Sequence, residues 1–380
     1  MNEQQINDIF SYSLSIRRKL HMYPEVGFEL PKTVAIIGEE LHRLGISFTD
    51  KYGKCSLVAE LGSGEKTLAI RADIDALPIE EKTGLPFAST HAGKMHACGH
   101  DSHAAVLLGV AKYLKEHESE LPCKVRLVFQ PSEEGAVSGA KMMVDNGVMD
   151  GVDEVICTHC ENGLDSGNVG ICYGDYMAAC VPATLRFIGK ASHAAIPEAG
   201  IDAVAMAVEA YMQMKEMVAA EAGEDKYIWN VGHFSGGTVH NIVPDSCEMY
   251  ISFRFYNKEF ASRVENRVRE ICEAVSNKYG GKYELSWIMS TGSIHNDENV
   301  TAKFEKCVRD SGIPVAFMPQ KKSSEDFAWF LEKTPGMIFR FGTRSEEKGC
   351  TALAHRSDFM IDEDGMKTAI KAFCSYVFRS

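Results

Sequence analysis

The stretch KVRLVFQPSEEG, residues 124–135, is the most informative about the fold. In its first part Lys124 and Arg126 alternate with apolar residues, which is the period of a β-strand with one buried face. A turn follows, and then come two adjacent acids, Glu133 and Glu134. Adjacent carboxylates repel each other unless a positive charge lies near them. The stretch therefore predicts a buried strand that leads into a charged loop.

Strands of this kind alternate with helices through the first half of the chain. KTLAIRADI (66–74) and DEVICTH (153–159) are predicted to be further strands, whereas residues 31–45 and 101–117 have helical periodicity. Such an alternation is typical of an α/β fold with a central sheet.

A different order of elements begins near residue 180. Between residues 180 and 290 the predicted order is strand, helix, strand, strand, helix, strand, which is the ferredoxin-like βαββαβ arrangement. Helices and strands then resume, including a helix predicted over residues 323–333. We therefore expect one α/β domain, formed by residues 1–179 and 291–380, which is interrupted by an inserted domain at 180–290.

Composition and charge narrow the class of protein. The chain has 380 residues and a formal net charge of −13, which disfavours binding to nucleic acid or to anionic membranes. It has neither an apolar run long enough to cross a bilayer nor the residue order of a signal peptide. The twelve cysteines lie mostly in apolar runs, as expected of reduced thiols in a cytoplasmic protein. For the C-x-x-C pair Cys157 and Cys160 we prefer two buried thiols to a redox or zinc site.

Potential metal ligands are concentrated in HACGHDSH, residues 96–103. Cys98 and His100 are separated by Gly99, so a sharp turn can direct both side chains toward one ion. Thiolate and imidazole are suitable donors for divalent transition metals. Any single histidine of such a loop, taken alone, is more simply explained as a solvated side chain.

Two further donor groups follow predicted strands. His159 ends the strand 153–159, and Glu133–Glu134 follows the strand at 124–130. In open α/β sheets ligands bind beyond the carboxyl ends of the strands, so we expect both groups to meet Cys98 and His100 there. Two interpretations of the acid pair are open. Both acids could be solvated loop residues, or one carboxylate could bind metal while the other accepts a proton from the attacking water.

Six motifs resemble those of one known family. They are, in chain order, RADIDALPIEEKTGLPFAST, GKMHACGHDSHAAVLLG, VFQPSEEG, SHAAIPEAGIDAV, GGTVHNIVPD and SSEDFAWFL. This set resembles the amidohydrolase branch of the di-metal aminoacylase and carboxypeptidase family, which includes hippurate hydrolases and indole-acetyl-amino-acid hydrolases. The motifs cover nearly the whole chain, and HACGHD is very specific to this branch. The resemblance implies a catalytic α/β domain interrupted by a ferredoxin-like lid through which two copies dimerise.

The resemblance also implies two divalent metal ions in each subunit. By position in the motifs, Cys98 would bridge the two ions, His100 and Glu134 would complete one of them, and His159 and His355 would complete the other. Zinc or manganese is expected, and a thiolate bridge also tolerates cobalt or nickel.

The remaining site residues follow from the same resemblance. Glu133 would be the general base in hydrolysis of an N-acyl-amino acid or a small peptide. His193 would reach the other subunit's active site and stabilise the oxyanion. Asn241 and Arg254 match positions that touch the substrate, and Arg254 suits a free carboxylate because guanidinium binds carboxylate bidentately.

Several positions remain open or depart from the family's pattern. Asp73, Asp75 and Asp101 either orient the ligands or are ordinary turn and cap acids. The departures all lie beside predicted ligand or pocket positions; they are Cys160 and Glu161, Lys322 and Ser323, and Arg356 and Asp358. The chain therefore leaves the acyl group and the amino acid of the substrate undetermined.

Two other functions are compatible with parts of the sequence. A thiol hydrolase using Cys98 and His100 would leave Glu133, Glu134 and His159 without a role. A non-catalytic binding protein that retains the fold would not need a general base or a complete set of metal ligands, yet the predicted base and all predicted ligands are present. Metal analysis separates the first alternative from a di-metal hydrolase, and turnover of acyl-amino acids separates the second.

Overall fold

The computed structural model describes residues 1–379, which form two compact units. Unit 1 consists of Met1–Tyr176, His295–Gln320 and the chain from Asp326 onward, and unit 2 consists of Met177–Ile294 and Lys321–Glu325. In residues 1–379 no helix has both the length and the apolar character needed to cross a membrane.

Nine α-helices occur in the described residues: α1 (Glu3–His21), α2 (Pro31–Arg43), α3 (His100–Glu116), α4 (Gly139–Asp145), α5 (Ala203–Ala222), α6 (Lys258–Tyr279), α7 (Glu298–Asp310), α8 (Ala328–Leu331) and α9 (Gly365–Arg379). Sixteen β-strands occur in the same range: β1 (Phe48–Thr49), β2 (Leu57–Leu61), β3 (Thr67–Asp73), β4 (Lys124–Gln130), β5 (Glu154–Asp165), β6 (Val169–Ile171), β7 (Gly174–Met177), β8 (Ala179–Ile188), β9 (Ser192–His193), β10 (Tyr227–Gly236), β11 (Ile242–Val243), β12 (Ser246–Phe255), β13 (Lys282–Trp287), β14 (Ile294–Asn296), β15 (Val315–Phe317) and β16 (Gly336–Arg344).

Unit 1 is built on an eight-stranded sheet with the order β1-β2-β4-β3-β5-β16-β6-β15. The four central strands β4, β3, β5 and β16 are parallel, while β2 and β6 run antiparallel to their neighbours β4 and β16. β3 is buried along its whole length, as expected of a central strand covered on both faces. The predicted α/β class with a large central sheet is therefore confirmed.

The carboxyl ends of neighbouring parallel strands lie at one edge of this sheet. β3 ends at Asp73 and β4 at Gln130, and these two residues are register partners. Pairing between β3 and β5 ends at Arg71 and Cys157, whereas β5 continues beside β16. The prediction that His159 ends its strand is therefore wrong. His159 lies within β5, just beyond the last residue that β3 covers.

Unit 2 is built on a four-stranded antiparallel sheet with the order β10-β12-β8-β13. Burial alternates along β8 and β12, so each strand presents every second side chain to one face. On that face α5 and α6 pack over one apolar core, to which Phe187, Met214 and Phe253 belong. β10 and β13 are the two edge strands of this sheet.

The helix predicted over residues 323–333 is much shorter in the structure. α8 begins only at Ala328. The Asp326 carboxylate accepts hydrogen bonds from Ser138 Oγ at 2.6 Å and from Gln130 Nε2 at 2.9 Å, and it is buried. Because this acid is paired with residues far away in the sequence, it does not cap the first turn of a local helix. Tertiary pairing here outweighs local helix propensity.

Candidate metal centre

The turn at Cys98, Gly99 and His100 places two donor side chains in the interior of unit 1. Gly99 has φ 83° and is the N-cap of α3, and His100 is the first residue of that helix. A side chain at position 99 would be strained by this φ, and its Cβ would lie 2.4 Å from Cys160 Sγ. Glycine is therefore required between the two donors, both of which are buried.

His159 faces Cys98 from β5. Its Nε2 lies 3.3 Å from Cys98 Sγ, and its Nδ1–H donates a 2.7 Å hydrogen bond to the carbonyl oxygen of Cys160. That bond assigns the proton to Nδ1 and directs the lone pair of Nε2 toward Cys98. Burial, together with the positive charge of Arg340, holds the pKa of His159 well below its usual range. The ring is therefore neutral, which is the form that binds a metal.

The acid pair lies in the loop after β4 and is oriented by Asp75. The backbone N–H groups of Glu133 and Glu134 donate to the two carboxylate oxygens of Asp75, at 3.0 and 3.2 Å. The Glu134 side chain reaches His355, with 3.0 Å between Oε1 and Nε2. The Glu133 carboxylate lies 3.8 Å from His100 Nε2. A single buried aspartate thus directs the two acids to different neighbours.

His355 comes from a distant loop and has a strained backbone. Its φ of 67° is unusual for a residue with a side chain. Its backbone N–H donates to the carbonyl oxygen of Ala97 at 2.8 Å, which ties this loop to the segment before Cys98. Its side chain is 53% exposed and is the most open of the five predicted ligands. Strain of this kind persists where the surrounding structure fixes it, often at functional sites.

The five predicted ligands converge in unit 1. Donor atoms of Cys98, His100 and His159 lie within 4.8 Å of one another, and so do donor atoms of Cys98, Glu134 and His355. Cys98 belongs to both groups, which is the arrangement that a thiolate shared by two neighbouring ions needs.

Charge and hydrogen bonding at this site fit a bound cation. His100 is fully buried, yet its Nε2 has no hydrogen-bond partner among the described residues, and its Nδ1 lies 3.5 Å from Asp75 Oδ1. Such an orphaned buried group is costly. Burial lowers the pKa of His100, but Asp73, Asp75 and Glu134 outweigh it and raise this pKa to about 10. Burial and Glu134 raise the pKa of Cys98 well above its usual range. A divalent ion would supply the missing positive charge.

His103 lies beside the predicted ligands, but both of its ring nitrogens are engaged elsewhere. Nδ1–H donates to Asp73 Oδ1 at 2.5 Å, and Nε2 accepts the backbone N–H of Cys160 at 2.9 Å. Asp73 also pairs with Arg71 at 2.7 Å. His103 therefore has no lone pair left for a metal, and it joins α3 to the end of β3 and to the middle of β5.

Asp101 binds two residues of α1 that the sequence analysis missed. It forms an ion pair with Arg17, with 2.8 Å between Oδ2 and Nε, and it accepts a hydrogen bond from His21 Nδ1 at 2.8 Å; all three side chains are buried. Asp101 thus joins α1 to the first turn of α3. A signal for the pair was present, because Arg17 and His21 lie on the same buried face of α1 as Ile16 and Leu20.

Two of the predicted substrate-side residues of unit 2 lie close together. β9 and β11 pair so that His193 is opposite Ile242, and the Ala194 N–H donates to the Asn241 carbonyl oxygen at 3.0 Å. His193 is exposed, and its Nδ1 accepts the backbone N–H of Ala195 at 3.0 Å. That bond assigns the ring proton to Nε2, which is thereby a hydrogen-bond donor.

Arg254 lies on a different sheet, near the far end of β12 in the four-stranded sheet of unit 2. It is eight residues beyond Ser246 on β12, which follows β11, and eight strand residues span roughly 27 Å. Its Nη1 donates to Ser324 Oγ at 2.8 Å and to the Lys322 carbonyl oxygen at 3.2 Å. The structure therefore does not bring Arg254 together with His193 and Asn241.

The chain is similar in sequence and in fold to known hydrolases. The sequence profile of Peptidase family M20/M25/M40 matches residues 69–379. N-acetyl-L-cysteine deacetylase of Bacillus subtilis (strain 168) is 35% identical over 365 residues, which cover 95% of this chain and 86% of that protein. Thermostable carboxypeptidase 1 of Saccharolobus solfataricus is 34% identical over 373 residues, which cover 96% and 94%. The crystal structure of the Bacillus subtilis YXEP protein, named a dinuclear metal binding peptidase from the M20 family, matches with a TM-score of 0.85 and 30% identity over 98% of both chains.

Proposed function

The chain belongs to peptidase family M20/M25/M40 and is a hydrolase acting on C–N bonds, and from this premise we propose that it cleaves the amide bond of N-acyl-amino acids or small peptides with two bound divalent ions. The resemblance noted from the six motifs is thus confirmed at the level of the family. Both substrate classes are supported by the relatives, one named a deacetylase and the other a carboxypeptidase.

The observation that carries the proposal is the pair of donor groups that share one thiol. In the proposed assignment Cys98 would bridge two ions, His100 and Glu134 would be further ligands of one ion, and His159 and His355 would be further ligands of the other. The shared position of Cys98 in both groups supports its bridging role, and the orphaned Nε2 of His100 supports that residue as a ligand. His100 and Glu134 also occur together in one group of close donor atoms, whereas the assignment of His159 and His355 to the same ion rests on the family resemblance. One thiolate, three imidazoles and a carboxylate suit zinc or manganese, and cobalt or nickel also.

The proposed reaction uses Glu133 as the general base. Divalent ions, when bound, supply the Lewis acidity that polarises an amide carbonyl and activates water. Glu133 takes a proton from the attacking water and returns it to the leaving amine. Its backbone N–H is held by Asp75, and its carboxylate lies 3.8 Å from Nε2 of the proposed ligand His100. This placement beside the metal ligands supports the assignment.

We propose that unit 2 is a ferredoxin-like lid and dimerisation domain, corresponding to the expected insertion at 180–290. The strand order β10-β12-β8-β13 with two helices on one face supports this. Its edge strand β10 carries the exposed Phe234, which contacts Tyr211 of α5, and α5 exposes Val208 and Met212 one turn apart. An unpaired strand edge beside exposed apolar side chains suits pairing with a second copy of the chain.

The placement of residues within unit 2 supports a role for His193 in the partner's active site. His193 and Asn241 lie at the β9–β11 pairing, which precedes β12 in the chain, whereas Arg254 lies eight residues along β12 from Ser246, a span of roughly 27 Å. An N-acyl-amino acid is much shorter than this distance. We therefore propose that His193 and Arg254 serve different sites, with His193 stabilising the oxyanion in the partner's active site and Arg254 binding a substrate carboxylate.

The proposed setting is the cytoplasm, with neither nucleic acid nor a membrane as partner. None of the twelve cysteines forms a disulfide bond in residues 1–379, a pattern typical of proteins in a reducing compartment. The formal net charge of −13 gives the chain no general attraction to phosphate-rich surfaces.

The test combines metal analysis with a substrate panel. We expect about two divalent ions per chain, as in two-metal sites, and hydrolysis of some members of a panel of N-acetyl-amino acids, N-benzoyl-amino acids and dipeptides. Chelation should abolish turnover, and Cys98→Ala should lose both ions because both share its thiolate. Cys374→Ala, which removes a buried thiol from α9, is the control and should keep both ions.

Two outcomes would contradict the proposal. Full activity in metal-free protein would exclude a metal-dependent reaction and favour a thiol hydrolase. Protein that holds two ions but turns over no member of the panel would favour a non-catalytic binding protein.

A further inference from the structure

All three polar groups of Cys160 are bonded to residues at the proposed metal centre. Its thiol donates to the Cys98 carbonyl oxygen at 3.2 Å, and its backbone N–H donates to His103 Nε2 at 2.9 Å. Its carbonyl oxygen accepts the Nδ1–H of His159 at 2.7 Å. The side chain is 4% exposed, so these contacts are shielded from water. Cys160 thereby contacts the two proposed ligands Cys98 and His159, and also His103.

The backbone of Cys160 is available for these bonds because of the sheet's topology. Pairing between β3 and β5 ends at Cys157, so the β3 side of β5 is without a strand partner at position 160. The N–H and carbonyl of Cys160 are satisfied instead by the two histidine rings. This fixes the tautomer of His159 and thus the nitrogen that it offers to a metal.

The thiol of Cys160 acts on the turn that carries the other two donors. It donates a hydrogen bond to the carbonyl oxygen of Cys98. Its sulfur also packs against Gly99, so that a Cβ added at position 99 would lie 2.4 Å from Cys160 Sγ. Cys98 and His100 flank this glycine. An apolar side chain at position 160 would fill the space but would donate no hydrogen bond to the turn.

We infer that Cys160 is a positioning residue, whose thiol orients the Cys98–His100 turn for metal binding while its backbone orients His159. The inference rests on the proposed metal site. Cys160 does not touch the reacting atoms; it acts through the ligands. Partners of this kind are typically worth 10- to 100-fold in metal affinity.

The experiment compares Cys160→Ala with Cys160→Ser in the full-length protein. Removal of the donor in Cys160→Ala should weaken binding of zinc roughly 10-fold or more, measured by competition with a chelator, and should shift the visible absorption of the cobalt-loaded protein. Cys160→Ser restores a donor and should return the affinity to within about threefold of wild type. On the best substrate of the panel, kcat should fall in Cys160→Ala with little change in KM.

Cys157→Ala is the matched control, because it removes a buried thiol from the same strand, three positions earlier and on the opposite face. It should leave the zinc affinity and the cobalt spectrum unchanged. If Cys160→Ala does not fold, Cys160→Val supplies the donor-free comparison.

Three results would overturn the inference: wild-type affinity and spectrum in the donor-free variant, a serine variant as weak as the donor-free one, or an equal loss in Cys157→Ala. Failure of the proposed function is distinguishable, because it would appear in the wild-type protein itself, as absence of bound metal, activity without metal or absence of turnover on the panel.

Discussion

Subunit complementation between two inactive variants gives a direct test of the proposed dimer. His193→Ala removes the donor from unit 2 but leaves the metal centre of unit 1 intact. Glu133→Gln removes the base but leaves unit 2 intact. If His193 acts in the partner's active site, a mixed dimer contains one site with both groups, namely the site of the subunit that retains Glu133.

The expected magnitudes follow from the geometry of each side chain. The exposed His193 ring offers one donor, Nε2–H, because Nδ1 accepts the Ala195 N–H. Loss of one oxyanion donor typically lowers kcat by roughly 10²–10³, and loss of a general base by roughly 10²–10⁴. Each variant alone should therefore retain about 1% of wild-type activity or less. With random subunit exchange about half of the dimers are mixed, and each has one working site of two, so about a quarter of wild-type activity should return.

The assay mixes equal amounts of the two variants, follows subunit exchange by native mass spectrometry and measures hydrolysis at saturating substrate. The matched control mixes His193→Ala with the double variant Glu133→Gln/His193→Ala, for which no mixed site has both groups and activity should stay low. Absence of recovery after verified exchange would place His193 in its own subunit's site or outside the chemistry.

Two other predictions concern unit 1. Glu133→Gln should keep both metal ions while kcat falls roughly 10²–10⁴, whereas Glu134→Gln should lower the metal content measured by mass spectrometry; near-wild-type turnover in the first variant would refute the assigned roles. Arg17→Met should destabilise the protein by about 3–5 kcal/mol in urea denaturation, because it leaves the buried Asp101 carboxylate without its guanidinium partner. The control is Arg18→Met, because the Arg18 side chain is 45% exposed and its loss should lower the free energy of unfolding by only about 0–1 kcal/mol. Equal destabilisation in both variants would show that the buried Arg17–Asp101 pair contributes no more to stability than an exposed pair.

Much of unit 1 could be predicted because its signals are local. The alternation in β4 and the uninterrupted apolar character of β3 reflect the burial of each strand, which a short window of sequence shows. The donors Cys98 and His100 are neighbours in the sequence, so their convergence needs only a glycine between them. No local pattern indicated the position of His355, because its contact with Glu134 spans more than two hundred residues, and only the family resemblance pointed to it.

The sequence by itself determined which side chains are available for metal chemistry and which strands carry them, because residue type and short-range periodicity are properties of the chain alone. The tertiary structure decided how those side chains are used. It commits His103 to Asp73 and Cys160, turns Asp101 to α1, shortens the helix at Asp326 and leaves Nε2 of His100 without a partner. These outcomes depend on burial and on partners distant in sequence, where the cost of an unpaired polar group overrides local preference.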